Sequence, residues 1–209
     1  MTLILRYMTL DDIPQVMAVE RSAFTSPWTA RSYAYEVSES LHSHMVILEA
    51  RRTTARKGGW RLLLRRLTGS QTASGGQGLL AYGGLWHIID EAHVSTIAVD
   101  ASQRGHGYGE IVLAAMIAKA IALGAEYIVL EVRVSNTVAQ NLYKKYGFET
   151  TAVKRGYYRD NNEDAFDMRV NLDEAARAAL TERIKALMRT REVTDQYTTT
   201  SAPRPRPMR

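Results

Sequence analysis

The chain has 209 residues, of which 45% are hydrophobic and 23% charged, a composition typical of a globular protein with an apolar core. No stretch approaches the roughly 20 apolar residues that span a bilayer, and the first residues are too quickly acidic for a secretory signal peptide, so no membrane protein is expected. The chain has no cysteine, which excludes disulfides, thiolate metal ligands and an acyl-cysteine intermediate; we expect a cytoplasmic protein without a metal site. The net charge of +5 is unevenly distributed, because residues 51–78 contain seven cations and no acid.

The first part of the chain predicts a strand, two helices and a second strand. Pro14 falls in the first turn of the first helix, where its missing N–H removes no hydrogen bond. A turn at 25–29 separates the two helices. The predicted elements are, in chain order, a strand at Leu3–Tyr7, a helix from Asp11 or Asp12 toward Phe24, a helix ending near Val37 and a strand at Met45–Glu49.

Residues 51–78 interrupt this pattern with a segment rich in arginine, glycine, serine and threonine. This composition predicts a basic loop inserted into the domain, and the centre of the loop, Trp60–Leu67, could form one short amphipathic helix. Two interpretations remain open for the insertion. It is either a mobile basic surface loop or a patch that contacts RNA, the ribosome, an acidic partner or a membrane face.

The second half of the chain predicts a sheet with helices between its strands. Val112, Met116 and Ile117 recur at helical spacing, and Gly124 is placed to end that helix. The predicted strands are Leu79–Trp86, Ala92–Val99, Tyr127–Val134, Phe148–Val153 and Ala165–Val170, and the helices are Gly109–Leu123, a segment from Ser135 or Asn136 to Gly147, and Asp173–Arg189. We therefore expect one domain at residues 1–172, a C-terminal helix at 173–191 and a disordered tail at 192–209.

The main local signal for a binding site is a strand that runs into a glycine-rich turn and then a helix. Gly105, Gly107 and Gly109 let the backbone curl tightly and bring its N–H groups close to a ligand, and the helix dipole adds positive charge there. The spacing differs from the Gly-x-Gly-x-x-Gly of dinucleotide folds, and no Gly-Lys-Ser/Thr follows as in a Walker loop. The pattern predicts an anion site, most simply for a pyrophosphate; a glycine turn without a ligand is the alternative.

Glu131 and Tyr143, which follow the glycine turn in the chain, are candidates for proton transfer. Glu131 lies in an otherwise apolar strand, where a carboxylate costs free energy unless it faces a polar cleft or a partner. We interpret it either as a general base whose pKa is raised by partial burial, or as the structural partner of Arg133 on the same strand face. Tyr143 is either an aromatic residue of the core or the proton donor to a departing thiolate.

These motifs resemble the Gcn5-related N-acetyltransferase (GNAT) superfamily and, within it, the bacterial ribosomal-protein-alanine N-acetyltransferases. The motifs that carry the resemblance are Arg104–Gly109, Ser26-Pro27-Trp28, Leu130–Asn136, Ala139–Tyr143, Gly147-Phe148, Gly156-Tyr157-Tyr158 and Glu163-Asp164-Ala165. The resemblance covers residues 1–172 apart from the insertion. It implies an α/β (α+β) fold, with a central, mixed but mostly antiparallel sheet of about seven strands. The sheet is expected to be splayed at the acetyl-CoA site and flanked by helices.

The resemblance also implies a role for each matching residue. Glu131 would accept a proton, Tyr143 would protonate the CoA thiolate, and Trp28, Tyr157 and Tyr158 would bind the acceptor. The residues implied to bind acetyl-CoA are Ile97, Ala98, Val99, Arg104, Gly105, His106, Gly107, Tyr108, Gly109, Glu110 and Asn136. An acidic residue at position 110 departs from the family pattern, and we expect its side chain to point away from the phosphates.

The implied activity is transfer of acetyl from acetyl-CoA to a protein N-terminal α-amine, with the N-terminal alanine of ribosomal protein S18 as the implied substrate. Both substrates must be bound together, because no cysteine is available to carry the acetyl group. One alternative is a GNAT enzyme that acts on lysine side chains or small amines. Another is a binding module that holds RNA or the ribosome through the insertion, although intact Glu131, Asn136 and Tyr143 argue against it.

Overall fold

A computed structural model describes residues 2–51 and 77–202, which form one eight-stranded sheet with helices on both faces. The strands are β1 Thr2–Tyr7, β2 Ser43–Arg51, β3 Gln77–Ile88, β4 Glu91–Val99, β5 Tyr127–Arg133, β6 Glu149–Tyr158, β7 Glu163–Asn171 and β8 Val193–Asp195. The helices are α1 Ile13–Ala23, α2 Ala30–Ser38, α3 Tyr108–Leu123, α4 Thr137–Lys145 and α5 Glu174–Thr190, with short 3₁₀ turns at Leu10–Asp12 and Ala101–Gln103. Each strand and helix predicted within the described residues has a counterpart here, and β8 is additional.

The sheet has the order β6-β7-β5-β4-β3-β2-β1-β8. Neighbouring strands in the sheet are antiparallel except for two parallel pairs, β4 with β5 and β1 with β8. The mixed, mostly antiparallel sheet expected from the sequence is therefore confirmed.

The sheet divides at its centre, between β4 and β5. These two strands pair only from Glu91 to His93, opposite Tyr127 to Val129. Beyond His93, β4 pairs with β3 alone, and its register shifts at Ser95, an extra residue that bends the strand. The expected splaying is thus present, and it leaves the backbone of residues 94–99 without a ladder partner on the β5 side.

The core forms on both faces of the sheet because successive strand residues point to opposite sides. One apolar cluster lies beneath α3 and α5, and the other beneath α1 and α2. The α3 segment from Ile111 to Ile117 is entirely buried, which requires that helix to approach the sheet closely. Gly83 of β3 permits this, since a Cβ there would lie 2.8 Å from Val112 Cγ1.

The basic insertion falls almost wholly outside the described residues. Arg51 still belongs to β2 and Gln77 already belongs to β3, so the connection itself is residues 52–76. The amphipathic helix predicted at Trp60–Leu67, and the contacts predicted for the insertion, lie in that undescribed segment. None of the described helices is long and apolar enough to cross a membrane.

The prediction of a disordered tail at 192–209 is wrong for its first part. Val193–Asp195 form β8, which pairs in parallel with β1. Tyr197 is fully buried and its hydroxyl donates to the carbonyl of His44 at 2.9 Å, while Lys119 Nζ donates to the carbonyls of Thr198 and Thr200. The polar composition of the tail conceals this, because one aromatic side chain and backbone hydrogen bonds order the segment. Residues 203–209 lie outside the described chain.

Candidate active site

The glycine-rich turn connects β4 to α3, and each of its glycines has a local reason to be glycine. Gly105 and Gly107 adopt φ values of 80° and 78°, a left-handed conformation that side chains disfavour. Gly109 lies in the first turn of α3, where a Cβ would approach Val99 Cγ2 to 3.3 Å. The sequence prediction of a tightly curled loop that opens a helix is confirmed.

The first backbone amides of α3 point into this turn. The N–H groups of Tyr108, Gly109 and Glu110 precede the first intrahelical hydrogen bond, which runs from Ile111 N to Gly107 O at 3.3 Å, and they have no partner within residues 2–51 and 77–202. Three unpaired donors at the positive end of a helix dipole are suited to an anion such as a diphosphate.

The acidic side chain at the start of α3 is engaged by α4. The Glu110 carboxylate accepts hydrogen bonds from Lys145 Nζ and, at 3.0 Å, from the Tyr146 hydroxyl, both on or next to α4. It is therefore neutralised by α4, as expected for a side chain that does not face the loop. Arg104 is exposed, and the ring of His106 stacks on Tyr108 with centroids 5.8 Å apart.

Glu131 lies just beyond the point where β5 leaves β4. Its Oε2 is 2.7 Å from His93 Nε2, and its Oε1 accepts from Lys154 Nζ at 2.6 Å. The hydrogen bond from His93 lowers the pKa of Glu131 to about 2; Lys154 adds to this effect, and partial burial opposes it. The raised pKa expected from the sequence is wrong, because the two donors outweigh burial.

The structural alternative for Glu131, a pair with Arg133, does not form. Arg133 instead bridges to the turn between β6 and β7, where its guanidinium donates to Asp160 at 2.8 Å and to Glu163 at 3.0 Å. Glu131 therefore lies in the opening between β4 and β5 beyond His93 and Val129 (the cleft), with His93 on one side and Lys154 on the other.

Tyr143 projects from α4 into the interior and is only 5% exposed. Its ring lies 5.9 Å from that of Phe148, and burial, with a contribution from Tyr158, raises the pKa of its phenol. No hydrogen bond within the described part of the chain engages its hydroxyl. Tyr143 is thus both a core aromatic and a neutral, protonated phenol.

Asn136 caps the same helix, α4, through its Oδ1, which accepts a hydrogen bond from Ala139 N at 3.1 Å.

Aromatic side chains extend from Glu131 toward the surface on one side of the cleft. Trp28 stacks on Trp86 with centroids 6.1 Å apart, and Trp86 contacts His93 edge-on at 5.5 Å. The position of Trp28 is fixed by Glu20, whose Oε1 accepts from the Trp28 backbone N–H at 2.8 Å.

The other side of the cleft is formed by the end of β6. Tyr157 is exposed at its edge, and its pKa is raised mainly by partial burial and further by the negative charge of Glu131. Tyr158 packs against it at 5.1 Å and lies 3.9 Å beneath the Arg133 guanidinium. The structure therefore brings Trp28, Tyr157 and Tyr158 to the same cleft as Glu131.

Three residues of this cleft were missed by sequence reasoning: His93, Trp86 and Lys154. Each is a polar or aromatic residue within a strand, and the sequence gives no strand register across β3, β4, β5 and β6. Only His93 offered a signal, as an ionisable residue inside the apolar run Ala92–Val94.

The split sheet and the glycine turn have a geometry that fits acetyl-CoA. The open backbone of Ile97, Ala98 and Val99 offers hydrogen-bonding groups along the split sheet, and the curled loop and free amides follow directly in the chain. A long ligand with an anionic end and a thioester end could occupy the split and the turn together.

The chain is similar to known acetyltransferases in sequence. The model of the acetyltransferase (GNAT) family matches residues 14–148. A candidate ribosomal protein bS18-alanine N-acetyltransferase of Bacillus subtilis (strain 168) is 34% identical over 169 residues, which cover 81% of this chain and 95% of the relative. The ribosomal protein bS18-alanine N-acetyltransferase of Escherichia coli (strain K12) is 28% identical, over 75% of this chain and 89% of the relative.

Solved structures share the fold. The crystal structure of the ribosomal-protein-S18-alanine N-acetyltransferase from Escherichia coli superposes with a TM-score of 0.63 at 24% identity, covering 82% of this chain and 95% of that one. A chain of the NatC complex bound to Gag peptide and CoA gives 0.61 at 18% identity, covering 83% of this chain and 100% of that one.

Proposed function

Because the chain belongs to the acetyltransferase (GNAT) family, we propose that it transfers acetyl from acetyl-CoA to the N-terminal α-amine of a protein. The observation that carries this proposal is the position of Glu131. It lies where the two central strands separate, hydrogen-bonded to His93 and flanked by aromatic side chains.

The proposed acceptor is the N-terminal alanine of ribosomal protein bS18. Relatives from Bacillus subtilis and Escherichia coli carry names of this activity, and the Bacillus relative aligns over almost its whole length. We assign the exposed face of Tyr157 and the Trp28–Trp86 stack as the surfaces between which a short peptide would lie. A ribosomal substrate would place the reaction in the cytoplasm.

Acetyl-CoA, the co-substrate, supplies the activated acetyl thioester. We assign its pantetheine arm to the backbone of Ile97, Ala98 and Val99, and its diphosphate to the amides of residues 105–110 beside Arg104. Asn136 is assigned to the same ligand at the end of β5, through its side-chain amide, since Oδ1 is engaged in the helix cap.

The α-amine must lose a proton before it can attack. An α-ammonium group has a pKa near 8, well below that of lysine, so moderate assistance is enough. Glu131, with a pKa of about 2, is a weak base alone, but it is hydrogen-bonded to an imidazole. We assign proton removal to the Glu131–His93 pair, in which the carboxylate accepts from Nε2 and orients the imidazole, so that the other ring nitrogen takes the proton.

The deprotonated amine then attacks the thioester carbonyl, the C–S bond breaks and the thiolate takes a proton. Tyr143 is assigned as the donor of that proton, because its phenol remains neutral and its hydroxyl makes no competing hydrogen bond in the described chain. Lys154 neutralises Glu131 from the side opposite His93 and moderates the negative charge of the cleft.

The test is acetyl transfer to a panel of synthetic N-terminal peptides, including the bS18 N-terminus, variants of its first residue, and the same peptide blocked at its α-amine but carrying lysine. Mass spectrometry locates the added acetyl. We expect modification of the free α-amine with a preference for alanine. Acetylation confined to lysine side chains would reject the proposal in favour of an ε-amine acetyltransferase.

A further inference from the structure

The last helix of the chain ends beside the turn that binds the coenzyme's phosphates in the proposed function. Arg177, in the first turn of α5, donates to the carbonyl of Ala125, just after the C-terminal end of α3. At its other end α5 reaches Arg191, which donates through Nη2 to the carbonyl of His106, just before α3 begins. The two helices therefore lie antiparallel, and the C-terminal end of α5 is directed at the positive N-terminal end of α3.

The guanidinium of Arg191 lies over the centre of the glycine turn. A Cβ built on Gly107 would be 3.4 Å from Arg191 Nη2 and 3.7 Å from both its Cζ and its Nη1. The whole guanidinium plane, and not only one terminal nitrogen, therefore lies against Gly107.

The structure on both sides of Arg191 in the chain fixes its position. The Arg191 backbone N–H donates to Leu187 O at 2.9 Å and closes α5. The next residue, Glu192, adopts a φ of 51°, a left-handed conformation unusual for a side chain, and turns the chain directly into β8 on the edge of β1. Arg191 is therefore fixed between a packed helix and a paired strand.

Arg191 has no acidic partner in the part of the chain that the structure describes. No carboxylate forms an ion pair with it within residues 2–51 and 77–202, and the acid closest in sequence to the turn, Glu110, is occupied by Lys145 and Tyr146. One carbonyl hydrogen bond uses only part of a guanidinium with five N–H donors. A cation with free donors, next to three unpaired amides, is matched to a phosphate group.

We propose that Arg191 binds the phosphates of coenzyme A, so that the C-terminal segment completes the coenzyme site. The inference rests on the proposed function for the site itself, but it assigns a residue outside the matched family region, residues 14–148. It also gives a role to α5 and β8, since both are needed to hold the guanidinium over Gly107.

The experiment is calorimetric titration of CoA into the full chain, without acceptor peptide. Arg191→Gln keeps a side-chain donor for the His106 carbonyl but removes the charge, and we expect Kd to rise about tenfold. Arg191→Lys should recover part of that loss. Arg189→Gln is the matched control, because Arg189 is an exposed arginine in the same last turn, and its Kd should equal that of the wild type.

Two further measurements separate a phosphate contact from a structural role. The dependence of Kd on salt should be weaker in Arg191→Gln than in the wild type, because one charge pair is missing. With 3′-dephospho-CoA, a retained difference between wild type and Arg191→Gln assigns the contact to the diphosphate, and a vanished difference assigns it to the 3′-phosphate.

An Arg191→Gln protein that binds CoA as the wild type does, or that loses affinity with an unchanged salt dependence, overturns the inference. These results are distinguishable from failure of the proposed function. If the wild type itself binds no CoA, the coenzyme site is wrong; if the wild type binds and the variant binds equally, only the role of Arg191 is lost.

Discussion

Glu131 Oε2 and His93 Nε2 are 2.7 Å apart, and His93 is the last residue of β4 that pairs with β5. The contact follows from the split of the sheet. Because β4 and β5 are parallel up to His93 and separate beyond it, a side chain farther along β5 can reach across the opening. The pair therefore lies at the vertex of the cleft, where an acceptor amine and a thioester could meet.

Replacing Glu131 by glutamine should lower kcat while leaving CoA affinity unchanged. The substitution keeps the size of the side chain but removes the carboxylate that orients the His93 imidazole, and loss of a general base typically costs about 10²–10⁴-fold. Steady-state kinetics with the bS18 peptide and CoA titration measure the two effects. Glu91→Gln is the control, since Glu91 contacts Tyr127 at the far end of β4.

Replacing His93 by glutamine distinguishes the two members of the pair. If the imidazole takes the proton, His93→Gln should lower kcat as much as Glu131→Gln, and the double variant should be no worse than either single variant, because residues that act as a unit are not additive. Losses that multiply in the double variant would show that the two residues act separately.

Replacing Tyr143 by phenylalanine should lower kcat without unfolding the protein. The hydroxyl makes no hydrogen bond within the described chain, so its removal leaves no buried group unpaired, and the unfolding free energy should change by less than about 1 kcal/mol. Urea denaturation and peptide kinetics test this together. Unchanged turnover would leave Tyr143 as a core aromatic only.

Most of the fold could be predicted because its signals are local. Apolar runs bounded by turns predicted the seven larger strands, helical spacing predicted α3, and Gly105 and Gly107 have the left-handed conformation that a tight glycine turn implies. The contacts within the site were harder to predict, because strand register decides which side chains of different strands lie next to each other. Nothing near Glu131 in the sequence indicates His93 or Lys154, and so the predicted raised pKa was the reverse of the actual one. β8 was missed because it is only three residues long and lies in a polar segment.

Buried His44 should make the stability of the protein depend on pH in a defined window. Burial, with repulsion from Lys119 and neighbouring histidines, lowers the pKa of His44 from 6.5 to about 4. The unfolded chain therefore binds a proton below pH 6.5 that the folded chain does not, and stability falls as pH decreases from about 6.5 to 4. The loss attributable to this group approaches about 3 kcal/mol at the lower end.

The measurement is urea denaturation across that window for the wild type and His44→Gln. Carboxylates also titrate there, so the informative quantity is the difference between the two slopes. The free energy of unfolding should depend less steeply on pH in the variant than in the wild type. Equal slopes would mean that protonation of His44 does not destabilise the folded protein.

Truncating Tyr197 to alanine should destabilise the protein by about 3–5 kcal/mol, the usual cost of removing a buried aromatic ring. Tyr197→Phe removes only the hydrogen bond to His44 and should cost about 1 kcal/mol. Thr199→Ala, at an exposed position of the same segment, should be neutral within about 0.5 kcal/mol. Thermal or urea unfolding of the three variants decides between an anchored and a loose C-terminal segment.

The parallel pairing of β8 with β1 joins the beginning of the chain to a segment close to its end. During synthesis, β1 leaves the ribosome long before its outer neighbour exists, and until then it exposes a row of unpaired backbone groups to other nascent chains. A chain shortened before Val193 would keep that exposed border permanently. We would therefore expect such a truncation to promote self-association, even where the cleft itself is untouched.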